Sequence, residues 1–377
     1  LPMINVIPVD TKKQLKDFIL LPFKIYKNES NWVPPLIGDR KKFFNPKKNP
    51  YYQHSEVKLF LALKDGEPVG RISAHSNTQH NKEHNENIGF FGFFECIDNQ
   101  EVANALFDAA FEWNRYRNFT SLRGPMNFSV NQDCGLLING FDSPPMIMMP
   151  YNFPYYPKLY ENYGLTKTMD LYAFISEYHS IPERVAKMAE IIAKRTNVQI
   201  HSLSYDKKQR KKDIETVFEI YTRAWQYNWG NVPMTKAEFD HLVAELLPIA
   251  DPDMVFIAEV DGQLAGFSLT LPNYNEVLKV MQGKVNPITI IKALQAKKHI
   301  TSVRVITMGI IKEFQGKGID TLLYYHTFKN GLPKGYYRSE FSWILENNIP
   351  MINAAEKLGA KIYKTYRLYD KAITNRK

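Results

Sequence analysis

Short apolar runs bounded by turn residues alternate along this chain with stretches whose apolar positions recur every three or four residues. That is the pattern of strands alternating with helices. The clearest run is Val303-Arg304-Val305-Ile306-Thr307-Met308-Gly309-Ile310-Ile311, whose β-branched side chains suit a buried strand. Leu322, Leu323, Tyr325 and Phe328 then recur at helical spacing, and a second strand-like run covers Glu340-Phe341-Ser342-Trp343-Ile344-Leu345. Two further apolar runs, Phe60 to Leu63 and Phe256 to Val260, each meet an Asp-Gly pair and then another apolar run. Asp-Gly between such runs predicts a tight hairpin. Phe90 to Ile97 reads as a strand leading into a helix over Val102 to Trp113. Pro182, followed by Val185, Met188, Ala189 and Ile192, predicts a helix with proline in its first turn.

The two hairpins belong to a longer internal repeat. Leu159-Tyr160-Glu161-Asn162-Tyr163-Gly164-Leu165 corresponds to Ala354-Ala355-Glu356-Lys357-Leu358-Gly359-Ala360, and Asp170-Leu171-Tyr172 to Arg367-Leu368-Tyr369. Near each start, Asn31-Trp32-Val33-Pro34 echoes Asn228-Trp229-Gly230-Asn231-Val232-Pro233. These pairs keep one order and nearly one spacing. The chain is expected to be an α/β (α+β) protein of two tandem domains, each a mixed central sheet flanked by helices. The expected boundaries are 3–175 and 198–373, with a linker helix over 176–197.

Between the strand at Val303 and the helix at Leu322 lies Gln315-Gly316-Lys317-Gly318-Ile319-Asp320. Strand, glycine loop and helix aim backbone N–H groups and a helix N-terminus at an anion. The glycines allow positive φ and close approach of a ligand, and Lys317 adds a mobile positive charge. The ordinary alternative is a turn whose glycines serve chain geometry alone. The loop lacks both the Lys-Ser/Thr ending of the nucleotide P-loop and the three-glycine dinucleotide fingerprint.

What the loop resembles is the Gln/Arg-Gly-x-Gly loop of the GNAT superfamily of acyl-CoA N-acyltransferases, through Gln315, Gly316 and Gly318, with Asp320 as a departure. Asn348 falls on that family's asparagine after the last central strand, and Glu356 to Gly359 reproduce its Glu-Lys-Leu-Gly. The family's frequent general-acid tyrosine would fall at Ala355. The resemblance implies tandem GNAT-like domains and direct acyl transfer from acetyl-CoA or a longer acyl-CoA to an amine. Gly316, Lys317, Gly318 and Ile319 would face the pyrophosphate. Met308, Gly309 and Ile310 would hold the pantetheine arm and polarise the thioester carbonyl, and Asn348 would sit beside the cofactor. Glu346, just past the strand Phe341 to Leu345, is the candidate base for the ammonium; charging a helix N-terminus is its alternative role. Trp225, Asn228 and Trp229 lie where the family's helices cover the acceptor. The first copy has Asp98-Asn99-Gln100-Glu101 in place of the glycine loop, so the N-terminal domain lacks the pyrophosphate site. The whole pattern is also similar to bacterial GNAT-like proteins of the ceramide synthase type. That likeness implies a long-chain donor and a sphingoid or other lipid-like amine, against a small-molecule amine. An acyl-CoA-binding pseudoenzyme or scaffold is the non-catalytic alternative.

Composition narrows the partners. A net charge of +9 favours polyanions: coenzyme A phosphates, an anionic membrane or nucleic acid. No helix-turn-helix, zinc-finger or ribonucleoprotein pattern supports nucleic acid. No apolar run approaches the roughly 20 residues needed to span a bilayer, no signal-peptide pattern opens the chain, and a cytoplasmic location is expected. Cys96 and Cys134 are too few for a disulfide framework. His75, His80 and His84 cluster in a polar stretch that reads as a solvated loop, so no metal is expected. The proline-punctuated stretch from Asp142 to Pro157 is dense in Met and aromatics. It suits a loop packed on the core or the lining of an acyl groove. Pro287 to Lys298 predicts an amphipathic helix with Lys292, Lys297 and Lys298 on its polar side. Core packing is its ordinary role and peripheral membrane contact the alternative.

Overall fold

The computed structural model describes residues 3–225 and 230–374. They form two compact units, one of Leu1–Leu171, Leu278–Ala293 and Lys364–Lys377, the other of Tyr172–Val277 and Leu294–Tyr363.

In chain order the first stretch supplies β1 (Ile4–Pro8), α1 (Lys12–Ile25), α2 (Ile37–Phe43), β2 (Val57–Lys64), β3 (Glu67–His75), α3 (Thr78–His84), β4 (Ile88–Cys96), α4 (Gln100–Arg115), β5 (Ser121–Gly124), β6 (Leu136–Asn139), α5 (Tyr156–Asn162) and β7 (Thr166–Glu177). There follow α6 (Glu183–Arg195), β8 (Val198–Ser202), α7 (Lys207–Trp225), α8 (Lys236–Leu246), β9 (Val255–Val260), β10 (Gln263–Pro272), α9 (Asn275–Met281) and α10 (Pro287–Lys297). The remainder is β11 (Ser302–Ile310), α11 (Ile319–Gly331), β12 (Arg338–Leu345), α12 (Ile349–Lys357) and β13 (Lys361–Ala372).

The two units repeat one sheet plan. In the first, β1, β2, β3 and β4 pair antiparallel in sequence and β4 then pairs parallel with β5. In the second, β8, β9, β10 and β11 pair antiparallel and β11 pairs parallel with β12. Both Asp-Gly hairpins have the expected left-handed turns: Asp65 and Gly66 lie at φ 52° and 85°, Asp261 and Gly262 at 51° and 75°. The first unit packs Phe91, Phe94, Leu106, Phe107 and Tyr160 between its sheet and α4 and α5. In the second, Ile220 of α7 and Leu323 of α11 meet Phe256, Ile257 and Phe267 of the sheet.

Boundaries drawn from sequence alone put 198–373 together, but Lys364–Lys377 belongs to the first unit. The reason is strand pairing: Tyr369 to Ala372 of β13 ladder antiparallel with Gly124 to Ser121 of β5. Leu278–Ala293 also joins that unit, where the Ile37 N–H donates to the Gly283 carbonyl at 3.0 Å. The helix α10 does not take the core position that is usual for such a segment; none of its residues is buried. Within the Met- and proline-rich stretch Met146, Ile147, Met149 and Tyr151 are buried, while Asp142, Pro144 and Pro154 are exposed.

The repeated positions Asp170 and Arg367 meet inside the first unit. Arg367 Nε donates to Asp170 Oδ1 at 2.8 Å and Nη2 to Oδ2 at 3.1 Å, and Lys167 Nζ lies 2.9 Å from Oδ2. Burial pushes the Asp170 carboxyl up, but the hydrogen bonds from Arg367 and Lys167 outweigh it and hold the group below the usual value. A depressed carboxyl stabilises the fold fully above its unfolded pKa of about 4, and that contribution fades as pH falls through the folded value. Asp170→Asn is therefore expected to lower stability at pH 7 by about 1–3 kcal/mol. In urea titrations the gap from the unsubstituted protein should narrow below about pH 4.

Candidate functional site

The parallel ladder between β11 and β12 runs from Ser302↔Arg338 to Val305↔Phe341. No further β11–β12 pair follows among the described residues, although β11 continues to Ile310 and β12 to Leu345. Beyond the parting, β11 stays paired on its other side, with Leu269↔Thr307, Ser268↔Met308, Phe267↔Gly309 and Gly266↔Ile310. An irregularity between Leu269 and Thr270 leaves Ile306 without an opposite residue, as in a β-bulge. Burial changes at the same place: Val303 to Val305 are buried, Ile306 to Met308 only half-buried. Main-chain groups on a parted strand need a partner from elsewhere.

The parted strand leads to the glycine loop. After one tight turn over Lys312–Phe314, Gly316 and Gly318 lie at φ 74° and 81°. Gly318 caps α11 with no side-chain hydrogen bond, and its carbonyl accepts from the Leu322 N–H at 3.2 Å. The N–H groups of Ile319, Asp320 and Thr321 in the first turn have no acceptor within the helix. Lys317 is exposed, its Nζ 4.9 Å from the Phe314 ring centre. Gln315 is tied back by Nε2 donating to the Ile310 carbonyl at 3.1 Å. The two glycines differ in what surrounds them. A Cβ on Gly316 would meet nothing within 4 Å, whereas one on Gly318 would lie 2.5 Å from Ile192 Cδ1 of α6.

The corresponding place in the first unit is filled by its own chain. The β4–β5 ladder ends at Phe90↔Arg123. The Met126 N–H then donates to the Phe91 carbonyl at 2.8 Å, and Asn127 Oδ1 accepts from the Phe93 N–H at 2.8 Å. The contact is so close that a Cβ on Gly92 would lie 1.8 Å from the Met126 carbonyl oxygen. Asn99 caps the following helix α4 by accepting from the Val102 N–H. Tyr160, which stands where the second unit has Ala355, is fully buried among Phe91, Phe94, Phe107 and Tyr369.

A buried polar cluster sits at the parting in the second unit. Arg304 Nε donates to Ser342 Oγ at 2.8 Å, and Ser342 Oγ donates to Glu340 Oε1 at 2.5 Å. Arg304 Nε lies 3.6 Å from the same carboxyl oxygen, and the Tyr363 hydroxyl donates to Glu340 Oε2. Glu340 is fully buried and Arg304 nearly so. A charged residue inside each of two apolar runs was the available signal, and the register Arg304↔Glu340 supplies the meaning.

The remaining candidates are placed as follows. Glu346 follows directly on β12 and is half-buried. Asn348 is the N-cap of α12, accepting from the Met351 N–H at 3.3 Å. Ala355 is buried beside Phe341, Ile344 and Leu358. The Trp225 side chain, Asn228 and Trp229 lie outside the described residues. His75 is buried against Phe90 with its pKa pushed down to about 3, chiefly by burial. His80 pairs with Glu86 at 2.8 Å. Among the described residues no group of three His, Cys, Asp or Glu side chains is placed to hold a metal ion.

The sequence model of the Acetyltransferase (GNAT) family matches residues 214–360. The bacterial ceramide synthase of Caulobacter vibrioides (strain NA1000 / CB15N) is 37% identical over 98% of this chain and 98% of its own. The chain belongs to the GNAT family. Protein YghO of Escherichia coli (strain K12) is 34% identical over 96% of this chain and 94% of its own. In fold, this GNAT chain is similar to a tandem GNAT protein from the clavulanic acid biosynthesis pathway, with a TM-score of 0.57 at 12% identity over 100% of both chains. The family match takes in the parted strands, the glycine loop and α12. No helix among the described residues of this GNAT protein is long and apolar enough to cross a membrane.

The glycine surroundings give a measurable contrast. Gly316→Ala is expected to lower unfolding free energy by about 1–2 kcal/mol, from left-handed strain alone. Gly318→Ala should lower it further, because the new methyl also meets Ile192. Measured against Ile192→Ala alone, the Gly318→Ala loss should be partly recovered in the double variant and the Gly316→Ala loss not at all, a coupling read from chemical denaturation of the three single and two double variants.

Proposed function

We propose that this protein is an acyl-CoA-dependent N-acyltransferase whose second unit binds the donor and whose acceptor is a lipid-like amine. The observation that carries the reading is the parting of β11 from β12 next to a helix start whose glycine cap offers no side-chain hydrogen bond, at the place where the first unit is filled by Met126 and Asn127. Backbone N–H groups at Gly316, Lys317, Gly318 and Ile319 suit a pyrophosphate, with Lys317 adding charge and Gln315 steadying the loop. The β11 backbone at Met308, Gly309 and Ile310 suits the pantetheine amides and the thioester carbonyl. Asn348 stands at the head of α12, beside the donor.

The donor supplies a thioester carbonyl. The acceptor ammonium gives one proton to Glu346 and its nitrogen attacks that carbon; an N–C bond forms, the C–S bond breaks, and the second proton that the nitrogen sheds in becoming an amide ends on the sulfur, which leaves as coenzyme A thiol. Trp225, Asn228 and Trp229 are assigned to the acceptor. A long acyl chain and a sphingoid-type amine are favoured by the ceramide synthase relative, which matches along almost its whole length.

A second reading, an acyl-CoA-binding module without turnover, is favoured by Ala355. Its place in the family pattern is that of the tyrosine acid, and here it packs in the core. Thiol release from acetyl-CoA and palmitoyl-CoA, with long-chain amino alcohols and small amines, separates the readings. Turnover with palmitoyl-CoA and a long-chain amino alcohol is expected. Lys317→Glu should raise the donor KM by about tenfold, and Glu346→Gln should lower kcat by roughly 10²–10⁴. Donor binding without thiol release under any pairing would establish the binding module instead.

A further inference from the structure

The helix α10 is built inside out. Ile288, Ile290, Ile291 and Leu294 are 67%, 44%, 57% and 59% exposed, and Val285 just before the helix is 64% exposed. The half-buried positions are the small ones, Thr289, Ala293 and Ala296. At about 100° per residue the four branched side chains fall on one arc of roughly 160°, and Lys292 and Lys297 flank it on either side. The small residues lie on the opposite face. An amphipathic helix docked on its own core would have these two faces exchanged.

The helix is firmly held where it begins. Asn286 and Thr289 cap it reciprocally: the Asn286 N–H donates to Thr289 Oγ1 at 2.9 Å, and the Thr289 N–H to Asn286 Oδ1 at 3.0 Å. Just upstream, a Cβ on Gly283 would lie 2.5 Å from the Phe23 ring. The exposed apolar face therefore belongs to a capped, anchored helix.

Charge selects what covers it. No Asp or Glu occurs between Glu276 and Glu313, while Lys279, Lys284, Lys292, Lys297 and Lys298 do. All five are exposed, and no carboxylate pairs with them among the described residues. Two copies meeting through this face would bring their lysines together without a compensating carboxylate. An anionic bilayer satisfies both features, taking branched side chains into its acyl boundary while lysine ammonium groups reach the headgroups.

We propose that α10 docks this protein on an anionic lipid bilayer as a peripheral, in-plane helix. The proposal rests on no step of acyl transfer, and its test uses no acyl-CoA. The full chain is sedimented with vesicles of phosphatidylcholine alone or of phosphatidylcholine mixed with phosphatidylglycerol, in low and high salt. Binding is expected to the mixed vesicles, to weaken in high salt, and to be at least about tenfold weaker on phosphatidylcholine alone. Ile291→Glu with Leu294→Glu, and separately Lys292→Glu with Lys297→Glu, should each weaken it by about tenfold or more. Unchanged melting temperatures would show that these exposed substitutions leave the fold intact. Absence of binding to mixed vesicles, or equal binding by all variants, overturns the proposal. So does a concentration-dependent dimer, seen by sedimentation without lipid, that Ile291→Glu with Leu294→Glu dissolves while vesicle binding is absent.

Discussion

Four residue pairs hold β11 to β12, and the arrangement of the second unit follows from where that pairing stops. A strand within a sheet has its main-chain groups satisfied on both sides; a strand that loses one neighbour keeps hydrogen-bonding capacity directed into the gap. After Val305↔Phe341 the gap lies beside the strand that delivers the chain to Gly316 and Gly318. The same plan in the first unit meets the same requirement internally. There Met126 and Asn127 take up the groups of Phe91 and Phe93. The sheet plan present twice is thus filled by Met126 and Asn127 in the first unit, while in the second β11 and β12 part after Val305↔Phe341.

The Arg304, Glu340, Ser342 and Tyr363 cluster stands beside the last paired residues. Burying a carboxylate and a guanidinium is costly unless each finds partners, and here hydrogen bonds join all four side chains. Such a cluster adds little net stability over an apolar core of equal volume, yet any slip in register would leave a buried charge alone. It joins Arg304 to Glu340, the opposed pair just before the last one of the ladder.

Much of this was legible in the sequence, for local reasons. Asp65-Gly66 and Asp261-Gly262 encode their turns in two residues, and Gly316 and Gly318 have the positive φ that a strand-to-helix loop of that composition suggests. Order and spacing of the repeats disclosed the tandem plan. What escaped depends on neighbours distant in the chain. Nothing near Met126 and Asn127 marks them as the filling of a gap, and the partnership of Arg304 with Glu340 needs a strand register that neither run contains. The helix α10 shows a third kind of limit. Periodicity locates an apolar face but is blind to whether that face turns toward the protein or away from it.

The pairing of β13 with β5 has a consequence for the order in which the protein is made. Arg123 and its partner Asp370 are 247 residues apart, so β5 leaves the ribosome with one edge waiting for a strand not yet translated. At about 5–20 residues per second the interval is on the order of tens of seconds. During it β5 lacks the strand that pairs with its second edge, and an open edge invites pairing with other chains. The fold of the half that is made first thus waits on the half that is made second.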